Sequence, residues 1–278
     1  GYQWIVPSKG LHENIEINRS NNNVSIETFD NKIYLAFRTG PTHFASTKVK
    51  IYIISSKDGK EWEEELLLSY DRDIREPYLI EIDNKLHFYF FTSGTKISSF
   101  SPERIHHFEK ERDGEWKECT KVLSKGEVHW SMKERNRKVY LLSYKGSHYQ
   151  LKGESNISLL LKETDDGVNF HPSQDSSIVY IGGVSECGFE FDYSGNLWGV
   201  TRLEDGDKSG FGSHVIYAEK DNIWNWEIPE TASNKIYMSP KMFNHNNELY
   251  LVARRQLGKE PFGKTSEKKS IKNGGTAV

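Results

Sequence analysis

Residues 29–38 read FDNKIYLAFR: a two-residue polar turn, then an alternating apolar strand that closes on arginine. The turn and strand recur as DNKLHFYFF (83–91), NRKVYLLSY (136–144), GNLWGVTR (195–202) and NNELYLVAR (246–254). Their last residues, Arg38, Phe91, Tyr144, Arg202 and Arg254, are spaced by 53, 53, 58 and 52 residues. A fixed period of this size marks an array or a propeller. Upstream of each turn stands another strand, in NNVSIETF (22–29), REPYLIEI (75–82), VHWSMKER (128–135), SECGFEFD (185–192) and SPKMFNHN (239–246). Two strands about an Asn-, Asp- or Gly-bearing turn make a hairpin.

A second marker follows four of the hairpins. SKDGKEW (56–62) and TDDGVNF (164–170) share S/T-x-D-G-x-x-aromatic, RDGEW (112–116) is one residue shorter, KDNIWNW (220–226) ends on tryptophan, and the fifth repeat breaks off at KNGGTAV (272–278). The short polar side chains of such a turn bond their own backbone amides, and the aromatic pins the next strand to the sheet. The expected fold is all-β: a single β-propeller domain of five four-stranded antiparallel blades, near residues 20–70, 73–122, 126–176, 182–230 and 236–278. Residues 2–7 are expected to add the outer strand that closes the last blade, because closure removes an exposed edge. The alternative is a truncated chain with a sixth blade missing.

Composition narrows the partners. A chain of 278 residues with 36% hydrophobic and 13% aromatic content can bury a sizeable core. A net charge of −3 leaves no basic field for nucleic acid or an anionic membrane. No apolar run approaches the ~20 residues of a membrane helix, and GYQWIVPSKG (1–10) lacks the pattern of a secretory leader. Cys119 and Cys187 form neither a disulfide framework nor a metal spacing. Free thiols incline the reading to the cytoplasm; no metal or cofactor is expected, and oligomeric state stays open.

The S/T-x-D-G turns resemble the Asp-box of the bacterial neuraminidase repeat, and the hairpin–strand–turn–strand unit resembles that of sialidase-like β-propellers. SECGFEFDYSGNLWGVTR (185–202) is similar to the sialidase segment that runs from a glutamate to a triad arginine. The resemblance implies Glu186 as a catalytic carboxylate and Arg202 and Arg254, with Arg255 beside it, as binders of an anionic sugar. The chain departs from the family elsewhere. NNNVS stands in place of R-I-P, leaving Arg38 as a substitute; RTGPTHFAS (38–46) offers His43 as the candidate acid; no tyrosine follows Tyr250. IREPY and SEC also resemble the R-D-P and E-C motifs of five-bladed invertase- and levanase-like glycosidases, which would make Glu76 and Glu186 a pair of carboxylates.

Register unites these residues. Equivalent positions of successive blades face a shared end of a propeller, so Arg38, Arg202 and Arg254 are expected to converge as an anion clamp, with Tyr144 as apolar wall. A second ring, counted back from the turns, holds Asn23, Glu76, His129, Glu186 and Ser239, with one residue of slack in the fourth repeat. Arg75 and Trp130 flank Glu76 and His129 and join the expected sugar-binding set. The bland reading gives the arginines to surface ion pairs and Glu76 to Arg75 or Arg72. RLEDGDKSGFGSH (202–214) is a candidate lid, without the full oxygen spacing of a calcium loop. Two function classes follow: a glycosidase acting on a terminal anionic sugar, or a non-catalytic propeller that binds a glycan or a protein.

Overall fold

The first hairpin turns owe their shape to residue type. Asp30–Asn31, Asp83–Asn84, Asn136–Arg137 and Asn246–Asn247 all have φ between 48° and 65°, as a two-residue turn matching the twist of its strands requires. Asn and Asp tolerate this region because their short side chains bond locally. The computed structural model describes residues 3–96, 100–119, 123–147, 156–172, 174–256 and 274–277. Every regular element among them is a strand, and no helix occurs.

The first blade orders β1 (Ser20–Phe29), β2 (Lys32–Gly40), β3 (Lys50–Ser56) and β4 (Glu63–Ser69) side by side. The second orders β5 (Asp73–Ile82), β6 (Lys85–Ser93), β7 (Pro102–Lys110) and β8 (Lys117–Glu118), with β9 (Leu123–Lys125) also on β7. The third is β10 (Glu127–Arg135), β11 (Lys138–Ser147), β12 (Asn156–Thr164) and β13 (Ile178–Gly182). The fourth pairs β14 (Cys187–Phe191), β15 (Leu197–Thr201) and β18 (Val215–Ala218), and carries an inserted hairpin of β16 (Leu203–Asp207) and β17 (Gly210–Gly212). The strand registers among the described residues are antiparallel, and an isolated parallel bridge joins Leu11 to Trp62.

Among the described residues these are four blades, not five. The fifth repeat is described as the hairpin of β19 (Tyr237–His245) and β20 (Glu248–Gln256) with β21 (Gly274–Ala277) beside it, residues 257–273 lying outside the described ones. Nor is every blade four-stranded. In the fourth, a single bridge from Tyr217 to Glu227 stands where an outer strand was expected, because two successive turns, 219–222 and 222–225, fill the stretch before it.

Contacts group Gly1–Val128 with Asp165–Val168, and His129–Thr164 with Asn169–Val278. In the first unit, Phe29, Tyr34, Ile51, Ile53, Ile74, Leu79, Phe88 and Phe90 form a core joining the first two blades. β6 is buried from Leu86 to Ser93, the continuous run of a strand covered on both faces. A second cluster of Leu35, Phe37, Tyr52, Ile54 and Trp62 is covered by Ile5, Val6, Leu11, Ile15 and Ile17. Residues 3–7 are therefore not a closing strand; Ile5 and Val6 cap the first blade. Gly10 and His12 bond the backbone of Trp62 instead.

The polar turns behave as their chemistry dictates. Ser56 Oγ accepts from the Gly59 amide (2.9 Å), and Asp58 Oδ1 from Lys60 (2.8 Å) and Glu61 (3.1 Å); Trp62 then packs into the cluster above. These amide bonds hold the Asp58 carboxyl below its usual range.

Candidate functional site

Three strands share one irregularity. β1 slips by one residue between Asn22 and Val24, β5 between Arg75 and Tyr78, and β19 between Met238 and Lys241. The residues at these bulges, Asn23, Glu76 and Ser239, have φ of 50°, 49° and 51°. Left-handed backbone costs an ordinary residue about 1–2 kcal/mol, and a bulge re-aims the side chain it carries. The fourth blade has no such slip: Cys187 faces Thr201, and the Arg202 amide donates to the Glu186 carbonyl (2.7 Å). Glu186 and Arg202 are thus direct cross-strand neighbours, which is the origin of the extra residue in the fourth repeat.

In the first unit the bulge brings the Asn23 side-chain amide to Glu76, whose Oε1 accepts from Nδ2 in a short hydrogen bond; Asn23 Oδ1 is buried without a hydrogen-bond partner. Arg38 does not serve as an open clamp. Wholly buried, it donates to the carbonyls of Ile74 (3.2 Å), Thr42 (3.3 Å) and Phe44 (3.2 Å) and to Asp73 Oδ1 (2.8 Å). Asp73 Oδ2 takes Arg75, whose Nη2 also donates to the His43 carbonyl (2.9 Å). One buried carboxylate thus joins two arginines, and both tie down the loop after β2. The alternating charge of DRDIRE (71–76) held the sign of Asp73 without showing its burial. His43 is exposed on that loop.

In the second unit Glu186 is nearly buried. Its Oε1 accepts from Arg202 Nη1 (2.8 Å) and its Oε2 from the Ser239 amide (2.8 Å). Arg254 Nη2 donates to Ser239 Oγ (2.9 Å), so Glu186, Arg202 and Arg254 are linked through Ser239. Arg202 Nη2 makes a short ion pair with Glu204, a residue that sequence reasoning passed over inside the inserted hairpin. Two carboxylates balance the one guanidinium, so Arg202 is not spare charge for an anionic sugar.

Trp130 and Tyr144 are buried and form no open wall. The Trp130 indole N–H donates to the Pro240 carbonyl (3.0 Å), and the Lys241 ammonium lies 4.3 Å from the ring centroid. His129 is buried in β10. The Arg255 side chain lies outside the described residues. Among the described residues no group of three or more His, Cys, Asp or Glu side chains is placed to hold a metal.

The hairpin of β16 and β17 is seated rather than lid-like. Asp207 accepts from Tyr180 Oη, the Gly183 amide (3.0 Å) and the amide and hydroxyl of Ser209 (2.9 and 2.7 Å). These four bonds hold its carboxyl low against the opposing effect of burial. Ser209 Oγ also stands 2.9 Å from Nε2 of buried His214. The Ser209 carbonyl accepts from Ala232 and the Ser213 carbonyl from Ser233, both at 2.9 Å.

The sequence matches no family model and no curated protein. Solved structures do share the fold. An α-L-arabinofuranosidase from Lactobacillus brevis is 15% identical, over 92% of this chain and 89% of its own, with a TM-score of 0.58. A family 117 glycoside hydrolase of the marine bacterium Zobellia galactanivorans is 16% identical over 82% and 74%, with a TM-score of 0.51. A family 32 β-fructofuranosidase from Bombyx mori in complex with sucrose is 10% identical, over 93% of this chain and 58% of its own, with a TM-score of 0.57. The architecture is that of a β-propeller, shared with these glycoside hydrolases.

Proposed function

We propose that the chain is a glycoside hydrolase acting on a terminal neutral sugar, with Glu186 as the group that gives and takes the proton. The observation that carries this reading is the setting of Glu186: nearly buried, opposite Arg202, and held by the Ser239 amide from a bulge of the next repeat. A carboxyl fixed in such a place is the general acid or base that glycoside cleavage uses. The glycosidase fold supports the same class.

We read the sugar as neutral because two of the three arginines in register are engaged within the protein, while Arg254, exposed, is held by the Ser239 hydroxyl. Arg38 is enclosed by carbonyls and Asp73, and Arg202 is balanced by Glu186 and Glu204. The invertase-like reading of REP and SEC is therefore favoured over the sialidase-like one. Glycosidases of this kind need a second carboxylate, for which Glu76 is the candidate by sequence motif.

The test is a panel of arabinofuranosides, fructosides, galactosides and sialosides. Glu186→Gln is expected to lower turnover at least ~10²-fold on the accepted sugar while sparing its binding, and Glu76→Gln to lower it as well. Preference for sialosides would overturn the neutral-sugar assignment. A second reading, a glycan-binding propeller without catalysis, has its own observation: both oxygens of Glu186 already accept hydrogen bonds, as a purely structural carboxylate's would. Binding without turnover on any sugar, unchanged by Glu186→Gln, would establish it.

A further inference from the structure

Resting on the assignment of Glu186 as the proton-carrying group, we infer that Glu204 is its positioning residue: it holds the Arg202 guanidinium against the inserted hairpin, so that Glu186 shares that charge and keeps the capacity to take up a proton. Arg202 lies between the two carboxylates, Nη1 on Glu186 and Nη2 on Glu204. An arginine paired with a lone carboxylate holds it ionised; one whose charge is divided between two does so less. The charged and polar groups facing Glu186 are Arg202 from the end of β15, Glu204 from β16, the Ser239 amide from β19 and, through Ser239 Oγ, Arg254 from β20. Glu204 is the anion that these contacts place on the far side of Arg202.

The hairpin is built to keep Glu204 there. Ser185 Oγ donates to Glu204 Oε1 (3.3 Å), tying it to the residue before Glu186. Asp207 fastens the same hairpin to Gly183, three residues before Glu186. A Cβ on Gly182 would run into Asp207 Oδ2, and one on Gly183 into the Gly206 carbonyl, so the two backbones meet where only glycine fits. The insertion and the segment that leads to Glu186 form one packed piece.

The test reads the proton directly and needs no substrate. The side-chain carboxyl carbons of Asp and Glu are labelled with ¹³C, the Glu186 resonance is identified by its loss in Glu186→Gln, and its titration midpoint is followed by NMR. Glu204→Gln removes that anion from Arg202 and is expected to lower the midpoint by about one pH unit. Lys208→Gln, an equal and opposite change of charge at the exposed tip of the hairpin, is expected to leave it in place. A midpoint that stays or rises in Glu204→Gln overturns the inference. Should Glu204→Gln not fold, Asp207→Asn, which loosens the seat, is read by the same criterion. A shifted midpoint in a protein that turns over no glycoside would refute the hydrolase reading and leave the role of Glu204 standing. An unshifted midpoint in an active enzyme would do the reverse.

Discussion

At the scale of single residues, the arginines show how far side-chain type reaches. Their register in the repeat was legible, because strand and turn lengths can be counted. Their partners were not: Asp73 meets Arg38 from the next blade and Glu204 meets Arg202 from two residues along the chain, and a guanidinium's reach spans several candidate carboxylates. Asp73 is the most exacting of these, a fully buried carboxylate between two arginines. Removing one partner of a buried ion pair costs about 3–5 kcal/mol, since the remaining charge is left uncompensated. Asp73→Asn is expected to lose stability of that order in urea denaturation, and a loss within the error of the measurement would deny the bridge its structural part. Ser239 offers a gentler test. Glycine adopts its φ of 51° without strain, so Ser239→Gly is expected to match or exceed wild-type stability while freeing Arg254 of its hydroxyl partner. Ser239→Val, β-branched in the same conformation, is expected to lose at least the ~1–2 kcal/mol of left-handed strain.

Among elements, the first hairpins followed from the Asp-Asn and Asn-Asn pairs, since the turn type leaves few residues to choose from. The outermost strands did not follow. They are short, and whether a sheet gains a fourth strand depends on what covers its edge, as the lone Tyr217–Glu227 bridge illustrates. The N-terminal segment was misread for a related reason: its apolar residues signal burial equally well as a strand or as a cap, and Trp62 took it as a cap. Bulges at Asn23, Glu76 and Ser239 escaped notice because each adds a single residue that a loop of varying length would also explain. Gly183→Ala probes the inserted hairpin as an element. Its new methyl group would press on Gly206, and overpacking of this kind typically costs about 1–3 kcal/mol. Hydrogen exchange is expected to quicken across residues 203–212 while β1–β4 stay protected; unchanged exchange in the hairpin would mean the seat yields at no cost.

For the whole molecule, the propeller class was legible from the period, and the number of blades was not, since a repeat in sequence need not be completed as a sheet. One source of acid lability lies in the first unit. His87 Nδ1 and His107 Nε2 lie 2.8 Å apart, both rings are buried, and Tyr89 stacks on His107 at 4.6 Å. Burial lowers both histidines, His107 further through its neighbour His87, to about 3. In the unfolded chain they titrate near 6.5, so the unfolded state binds more protons between that value and the folded ones. Their stabilisation is therefore full above about pH 6.5 and falls as the pH drops towards the folded values, with a slope of at most about 1.4 kcal/mol per pH unit for each histidine. Urea midpoints between pH 7 and pH 4 are expected to show this slope, reduced in His107→Gln; an equal slope in that variant would place the acid lability elsewhere. The two cysteines add something of a different kind. Cys119 belongs to the unit of the first two blades and Cys187, fully buried beside Glu186, to the other. Burial raises the Cys187 thiol far above its ordinary range, which leaves it almost no thiolate and hence almost no reactivity while its strand is closed. The second unit thus contains a chemical clock: the rate at which an alkylating reagent marks Cys187 measures how often the strand next to Glu186 opens, and the half-buried Cys119, reachable without such opening, supplies the reference rate.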